Sequence, residues 1–156
     1  MLTWQPSISV IVPGTPVAKG RPRFKAYARN RVKVYTPTKT IRYEESVAVH
    51  VTSQTRGKTL APAGTPVRLD IIAIYPRPQR LNRASDSDGL IPKCNRYMGD
   101  LDNLVKAVMD GVGRSGLWVD DGQVQCIRAE SVYAERGQRA RTCISIFLPT
   151  PLPTQE

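Results

Sequence analysis

A single-domain α/β (α+β) fold, with one mixed β-sheet packed against two main helices, is what this sequence predicts. Three observations carry the prediction. One segment repeats its apolar residues at the helical period. Several short runs rich in β-branched residues alternate or stay apolar throughout. The length of 156 residues and a hydrophobic content of 40% suit one core. A chain this long buries roughly two thirds of its unfolded surface, so it needs neither disulfide nor metal staples to fold.

The elements follow in chain order. "SISVIVPG" (7–14) alternates and reads as a strand. The next stretch is punctuated by Pro and Gly and loaded with charge, so it reads as loop with a short strand around Val32–Tyr35. A helix is expected from Thr40 to about Arg56, capped by Thr38 or Thr40, with Glu44 and Glu45 in its first turns and Gly57 as its stop. "VRLDIIAIYP" (67–76) turns from alternating to wholly apolar, the mark of a strand inside a sheet. Residues 77–99 show no period and read as a long loop.

From Asp100 the pattern sharpens. Leu101, Leu104, Val105, Val108, Met109 and Val112 form one apolar helical face, with Asp100 as N-cap and Gly111 or Gly113 as the end. A turn at Asp120–Gly122 precedes a strand over Gln123–Tyr133. "ERGQRA" then reads as the turn of a hairpin into a last strand over 141–149. The order is β-(β)-α-β-α-β-β. The domain spans 1–150, and 151–156 reads as a flexible tail.

Charge is unevenly placed. The formal net charge is +10, which points to a polyanionic partner such as nucleic acid. Residues 1–43 hold nine Lys and Arg and no Asp or Glu. Five of the thirteen acids fall between Asp100 and Asp121. Cys94, Cys126 and Cys143 are odd in number and widely spaced, which predicts reduced, mostly buried thiols. His50 has no ligand-spaced partner, so a structural zinc site is not expected. No apolar run is long enough to span a membrane, and the first residues lack the pattern of a signal peptide. The expected location is the cytoplasm.

The acidic cluster admits two readings. Asp102 and Lys106 lie four apart on one side of the helix, and Asp110 continues that stripe. Asp121 arrives from a separate segment. Carboxylates converging from two segments repel one another unless a cation lies between them, and hard oxygen ligands suit Mg²⁺ or Mn²⁺. Such ions polarise a phosphoryl oxygen and activate water, and a lysine beside them offsets the charge that develops. On pattern alone each piece also has a bland explanation: a helix cap, a surface ion pair and a turn.

"GDLDNLVKAVMDGV" followed by "GLWVDDGQV" resembles the signature of the RusA family of Holliday junction resolvases. "GTPVAKGRPRF" and "VYTPTKTIRYEESV" resemble its phage and prophage members. The resemblance implies a Mg²⁺-dependent endodeoxyribonuclease with Mn²⁺ as a possible substitute. It would cut four-way junctions as a homodimer, in recombination and repair, within a bacterial host cell. By motif position Asp100, Asp102 and Asp121 correspond to metal-binding catalytic carboxylates and Lys106 to the catalytic lysine. Asp120 ranks below Asp121, Asn103 and Gln123 either orient the acids or pack a cap and turn, and Trp118 reads as core. Gly99 departs from the pattern, since members often carry a basic residue or proline there. Asp86 and Asp88 read as solvated loop acids.

Lys19, Arg21, Arg23 and Lys25 are the candidates for DNA contact. The alternative for them is a solvated loop. Phe24 and Tyr27 among them either stack on bases or anchor the loop to the core. The rivals for the whole chain are a non-catalytic nucleic-acid-binding protein and a metal-dependent nuclease for other branched DNA.

Overall fold

The computed structural model describes residues 2–150, and the expected tail at 151–156 lies outside them. The described elements are β1 (Trp4–Pro13), β2 (Arg23–Ala28), β3 (Arg31–Tyr35), α1 (Thr38–Thr55), β4 (Val67–Tyr75), β5 (Ile91–Pro92), α2 (Leu101–Arg114), β6 (Val124–Tyr133) and β7 (Arg141–Pro149). Short 3₁₀ turns occupy Gln79–Leu81 and Asp121–Gln123. The main sheet has five strands in the order β1-β7-β4-β6-β5, and β2 pairs only with β3. The β4–β6 pair is parallel and the others are antiparallel. This is the predicted α+β fold, a mixed sheet with two helices.

β4 is central because it is the most apolar strand. Val67, Leu69, Ile71, Ala73 and Tyr75 point to the helical layer and are buried with Val47, Val51, Leu104, Val108 and Val112. Its other face is more open and carries the Arg68–Asp70 ion pair at 2.6 Å and partly exposed Ile72. Both helices therefore cover one face, as suits a sheet with antiparallel edges. No helix among the described residues is long and apolar enough to cross a membrane.

The structure corrects several expectations. The segment 134–140 is not a hairpin turn. β6 and β7 flank β4 on opposite sides, so this segment carries the chain past β4. A β6–β7 hairpin would leave one edge of the most apolar strand unpaired, whereas the observed order pairs both. α1 begins at Thr38 after Pro37, without a side-chain cap. Thr40 instead uses its Oγ1 to accept from the Gly20 amide at 3.2 Å. Glu44 and Glu45 consequently lie beyond the first turn. α2 runs through both Gly111 and Gly113. A Cβ on Gly111 would lie 2.6 Å from Val47 Cβ and 2.9 Å from the Glu44 carbonyl, so this glycine lets the helices touch. None of the three cysteines is fully buried, and Cys94 is exposed.

The 77–99 segment is ordered by two arginines. The Arg77 guanidinium donates to the carbonyls of Leu81, Ser87, Gly89 and Ala134. Arg136 pairs with Asp88 at 2.6 Å and donates to the carbonyls of Asn82 and Arg83. Asp86 accepts from the Arg83 amide at 2.8 Å. Asp86 and Asp88 are thus occupied within the loop.

Glu44 lies between the helices at 3% exposure. Its Oε2 accepts from Arg114 at 2.8 Å, and its Oε1 has no partner. Burial raises its pKa above the ordinary carboxylate value, against the pull of Arg114. A carboxyl with a raised folded pKa favours folding while protonated and loses that contribution as pH rises through the folded pKa. Glu44→Gln is therefore expected to raise the thermal midpoint at pH 7 by about 2–4 °C, on the order of 1 kcal/mol for this size. The gain should fade below about pH 4, where both states are neutral. Thermal melts across pH test this, and a lower midpoint at pH 7 would show that the Arg114 pair outweighs burial.

Candidate active site

The start of α2 presents the first two candidate acids. Asp100 occupies the N-cap position with extended backbone, yet its side chain makes no capping hydrogen bond. It lies 3.9 Å from Arg96, and Asp102 lies 3.8 Å from Lys106. Both are long, exposed pairs, with the Asp102 side chain 69% exposed. Exposed pairs of this kind contribute about 0–1 kcal/mol. These acids are therefore not consumed by capping. They stand beside the free N–H groups at the positive end of the helix dipole.

Two consecutive left-handed residues, Met98 at φ 67° and Gly99 at φ 100°, turn the chain into this helix. A side chain at 99 would collide with the Ala18 Cβ. Glycine therefore stands here on steric grounds, which accounts for its departure from the family pattern.

Asp110, next on the Asp102–Lys106 row, is not left free. It is partly buried and forms an ion pair with the Lys19 ammonium. That hydrogen bond is the main cause of the raised pKa of Lys19, against desolvation. Lys19 also donates its backbone N–H to the Asn103 carbonyl at 2.9 Å. It is thus tied along α2 rather than held out with its basic neighbours.

Those neighbours form a hairpin, not a loop. In β2–β3, Arg23 faces Tyr35 and Lys25 faces Lys33, while Phe24 faces Val34 and Ala26 faces Val32. One face is basic and the other apolar. Every residue of both strands is exposed, with Phe24 at 73%. Phe24 and Tyr27 therefore do not anchor this segment to the core.

Asp121 is held by the second motif. The buried Trp118 donates its indole N–H to Asp121 Oδ1 at 2.9 Å, so Trp118 is both core and a donor. Asp120 caps the short turn, accepting from the Gly122 amide at 2.6 Å. Gln123 pins the whole bend. Its Oε1 accepts from the amides of Val119 and Asp120, and its Nε2 donates to the carbonyls of Ala61, Pro62 and Thr65. Asp120-x-x-Gln123 has the spacing of a capping box, a signal legible in sequence that sequence reasoning passed over.

The expected convergence of three carboxylates does not occur within one chain. Asp121 Oδ1 lies 3.4 Å from where a Cβ on Gly113 would stand, at the C-terminal end of α2. Asp100 and Asp102 are at its N-terminal end. Eleven residues separate Asp102 from Gly113, about 16 Å along a helix axis. Among the described residues no three His, Cys, Asp or Glu side chains come together to hold a metal ion.

Fold and site together define a basic α+β protein with two carboxylates exposed at the start of α2. The chain belongs to the RusA family of Holliday junction resolvases: the family model, Endodeoxyribonuclease RusA, matches residues 13–146. No curated protein matches the chain.

Proposed function

We propose that this protein is a Mg²⁺-dependent endonuclease that resolves four-way DNA junctions as a homodimer. Asp100, Asp102 and Asp121 would be its ion ligands and Lys106 its phosphate-facing cation. The observation that carries the reading is that Asp100 and Asp102 stand exposed at a helix N-terminus and cap nothing. The donor set fits a hard divalent ion with carboxylate oxygen ligands. When bound, the ion would stabilise charge on the scissile phosphate and activate water. Asp100 and Asp102 hold and orient it, and Lys106, reaching Asp102 at 3.8 Å, offsets negative charge on the phosphate.

Asp121 enters through the dimer. Within one chain it is remote from the other two acids, so a shared ion requires Asp121 of a second copy. A two-fold axis would then repeat the site, giving two sites for two symmetric cuts. Trp118 and Gln123 would act through Asp121 by fixing its carboxylate and its turn. The enzyme would act on recombination and repair intermediates in the cytoplasm of a bacterial host, from a phage or prophage.

The basic hairpin supplies phosphate contact. Arg23 and Lys25, joined by Lys33, and Arg21 just before the hairpin are better placed for DNA than Lys19, whose ammonium is occupied by Asp110. Replacing Arg23 and Lys25 by Ala should weaken binding at every sequence and lower the slope of log K against log[salt] by about 2, near 0.9 per lost contact. A salt titration of junction binding checks this, and an unchanged slope would remove the hairpin from the interface.

The function itself is tested by offering synthetic four-way junctions and linear duplex with Mg²⁺. Paired symmetric cuts in the junction are expected. Binding without cutting would leave a non-catalytic DNA-binding protein, and equal cutting of linear duplex would remove junction selectivity.

A further inference from the structure

A cavity of about 580 Å³ opens beside the approach to α2, lined in part by Pro78, Arg80, Asn95, Tyr97, Met98 and Tyr133. Met98 stands two residues before Asp100, so the cavity wall leads directly into the first candidate ligand. The volume lies in the range of sites for small organic groups.

The wall is rigidly built. Asn95 donates its side-chain amide to the Tyr133 hydroxyl at 2.8 Å and accepts from the Tyr97 backbone N–H at 3.0 Å. Tyr133 is thereby a buried, fixed part of the lining. Lys93, nearly buried over the Tyr75 ring, braces the segment by donating to the carbonyls of Asn95 and Gly99 at 2.8 and 3.4 Å. The Arg77 guanidinium is spent on backbone carbonyls, as described above. Two groups are left over. The Tyr97 side chain is 70% exposed. Arg80 is exposed and makes no hydrogen bond or ion pair among the described residues. No acid is part of the lining. An open aromatic ring on an apolar wall with one unspent cation at its rim suits a flat π-system attached to an anion.

We propose that this cavity receives an unpaired base of the nucleotide adjoining the scissile phosphate. Tyr97 stacks on the base and Arg80 contacts the attached phosphate. The proposal rests on the placement of the cut at Asp100 and Asp102 made above. Met98 in a left-handed backbone, a conformation that costs a non-glycine residue energy, fits a turn that must set Tyr97 and Asp100 at fixed places.

The test couples residue to base. Junctions carrying an abasic site at each position flanking the cut are compared in wild type, Tyr97→Ala and Tyr97→Phe. One abasic position should lower wild-type kcat/KM on the order of tenfold, the usual scale of one base–aromatic stack. Tyr97→Ala should lose a similar factor on the intact junction and be insensitive to that abasic site. Tyr97→Phe, which keeps the ring, should keep the sensitivity. Losses that simply multiply at every position would overturn the proposal.

A second arm needs no cleavage. 2-Aminopurine at the same position should be quenched on binding Asp102→Asn, and not on binding Asp102→Asn/Tyr97→Ala. Failure of wild type to cut would count against the proposed function, with the quenching still deciding the cavity. Normal cutting with neither coupling nor quenching would overturn the cavity alone.

Discussion

Asp102→Asn is expected to lower junction cleavage on the order of 10³-fold while binding of the same junction holds or tightens. The size follows from removing one preorganised charged group at the reacting centre. The separation of the two effects follows from the structure. Asp102 is exposed, makes only a long pair with Lys106 and caps nothing. Its loss should therefore change folding stability by no more than about 0.5 kcal/mol. Removing a negative charge near the DNA backbone relieves repulsion, so affinity should not fall. Single-turnover cleavage and gel-shift titration on one preparation measure both. Activity within tenfold of wild type would exclude Asp102 as a ligand. A parallel loss of binding would make it a DNA contact instead.

The main helix and central strand were legible because burial imposes a period on them. Leu104, Val108 and Val112 repeat at helical spacing and are fully buried, and the apolar run of β4 matches its place between two neighbours under a helical layer. The hairpin was half legible. "RFKAYA" and "RVKVY" alternate, but their charge density and the flanking Pro and Gly read as loop, and no core contact enforces the pattern. The passage from β6 past β4 to β7 was not legible, since a seven-residue connection looks the same as a hairpin turn.

The candidate site divides in the same way. Two motifs, one on α2 and one on the Asp120–Gln123 turn, named the residue types and the family, and the family match agrees. Distance was the part that motif spacing concealed. α2 carries the chain about 20 Å away from Asp100. The return from Ser115 to Asp121 is six residues, at most about 20 Å when fully extended. It is not extended, because Gly116 turns it and Leu117 and Trp118 are buried on the way. Geometry of this kind places Asp121 at the far end of the helix, whatever its role in the motif.

That separation makes a second large effect predictable. Asp102→Asn and Asp121→Asn are each expected to be inactive as homodimers, yet mixing them should restore nicking. If each ion site takes Asp100 and Asp102 from one subunit and Asp121 from the other, a heterodimer holds one site with both lesions and one with neither. Random exchange makes about half of the dimers mixed, so nicking should return to roughly a quarter of the wild-type number of intact sites. Paired cuts should not return, because the opposing site in the same dimer is doubly impaired. A site built within one subunit gives the opposite result, since both subunits of the mixed dimer then carry a lesion and neither strand is cut. Both variants alter exposed carboxylates, so loss of folding is not the expected cause of either defect. Refolding the two together, then separating nicked from resolved junctions on denaturing gels, distinguishes the arrangements. Recovery of nicks alone would establish the shared site. No recovery, with mixed dimers shown to form, would exclude the shared site.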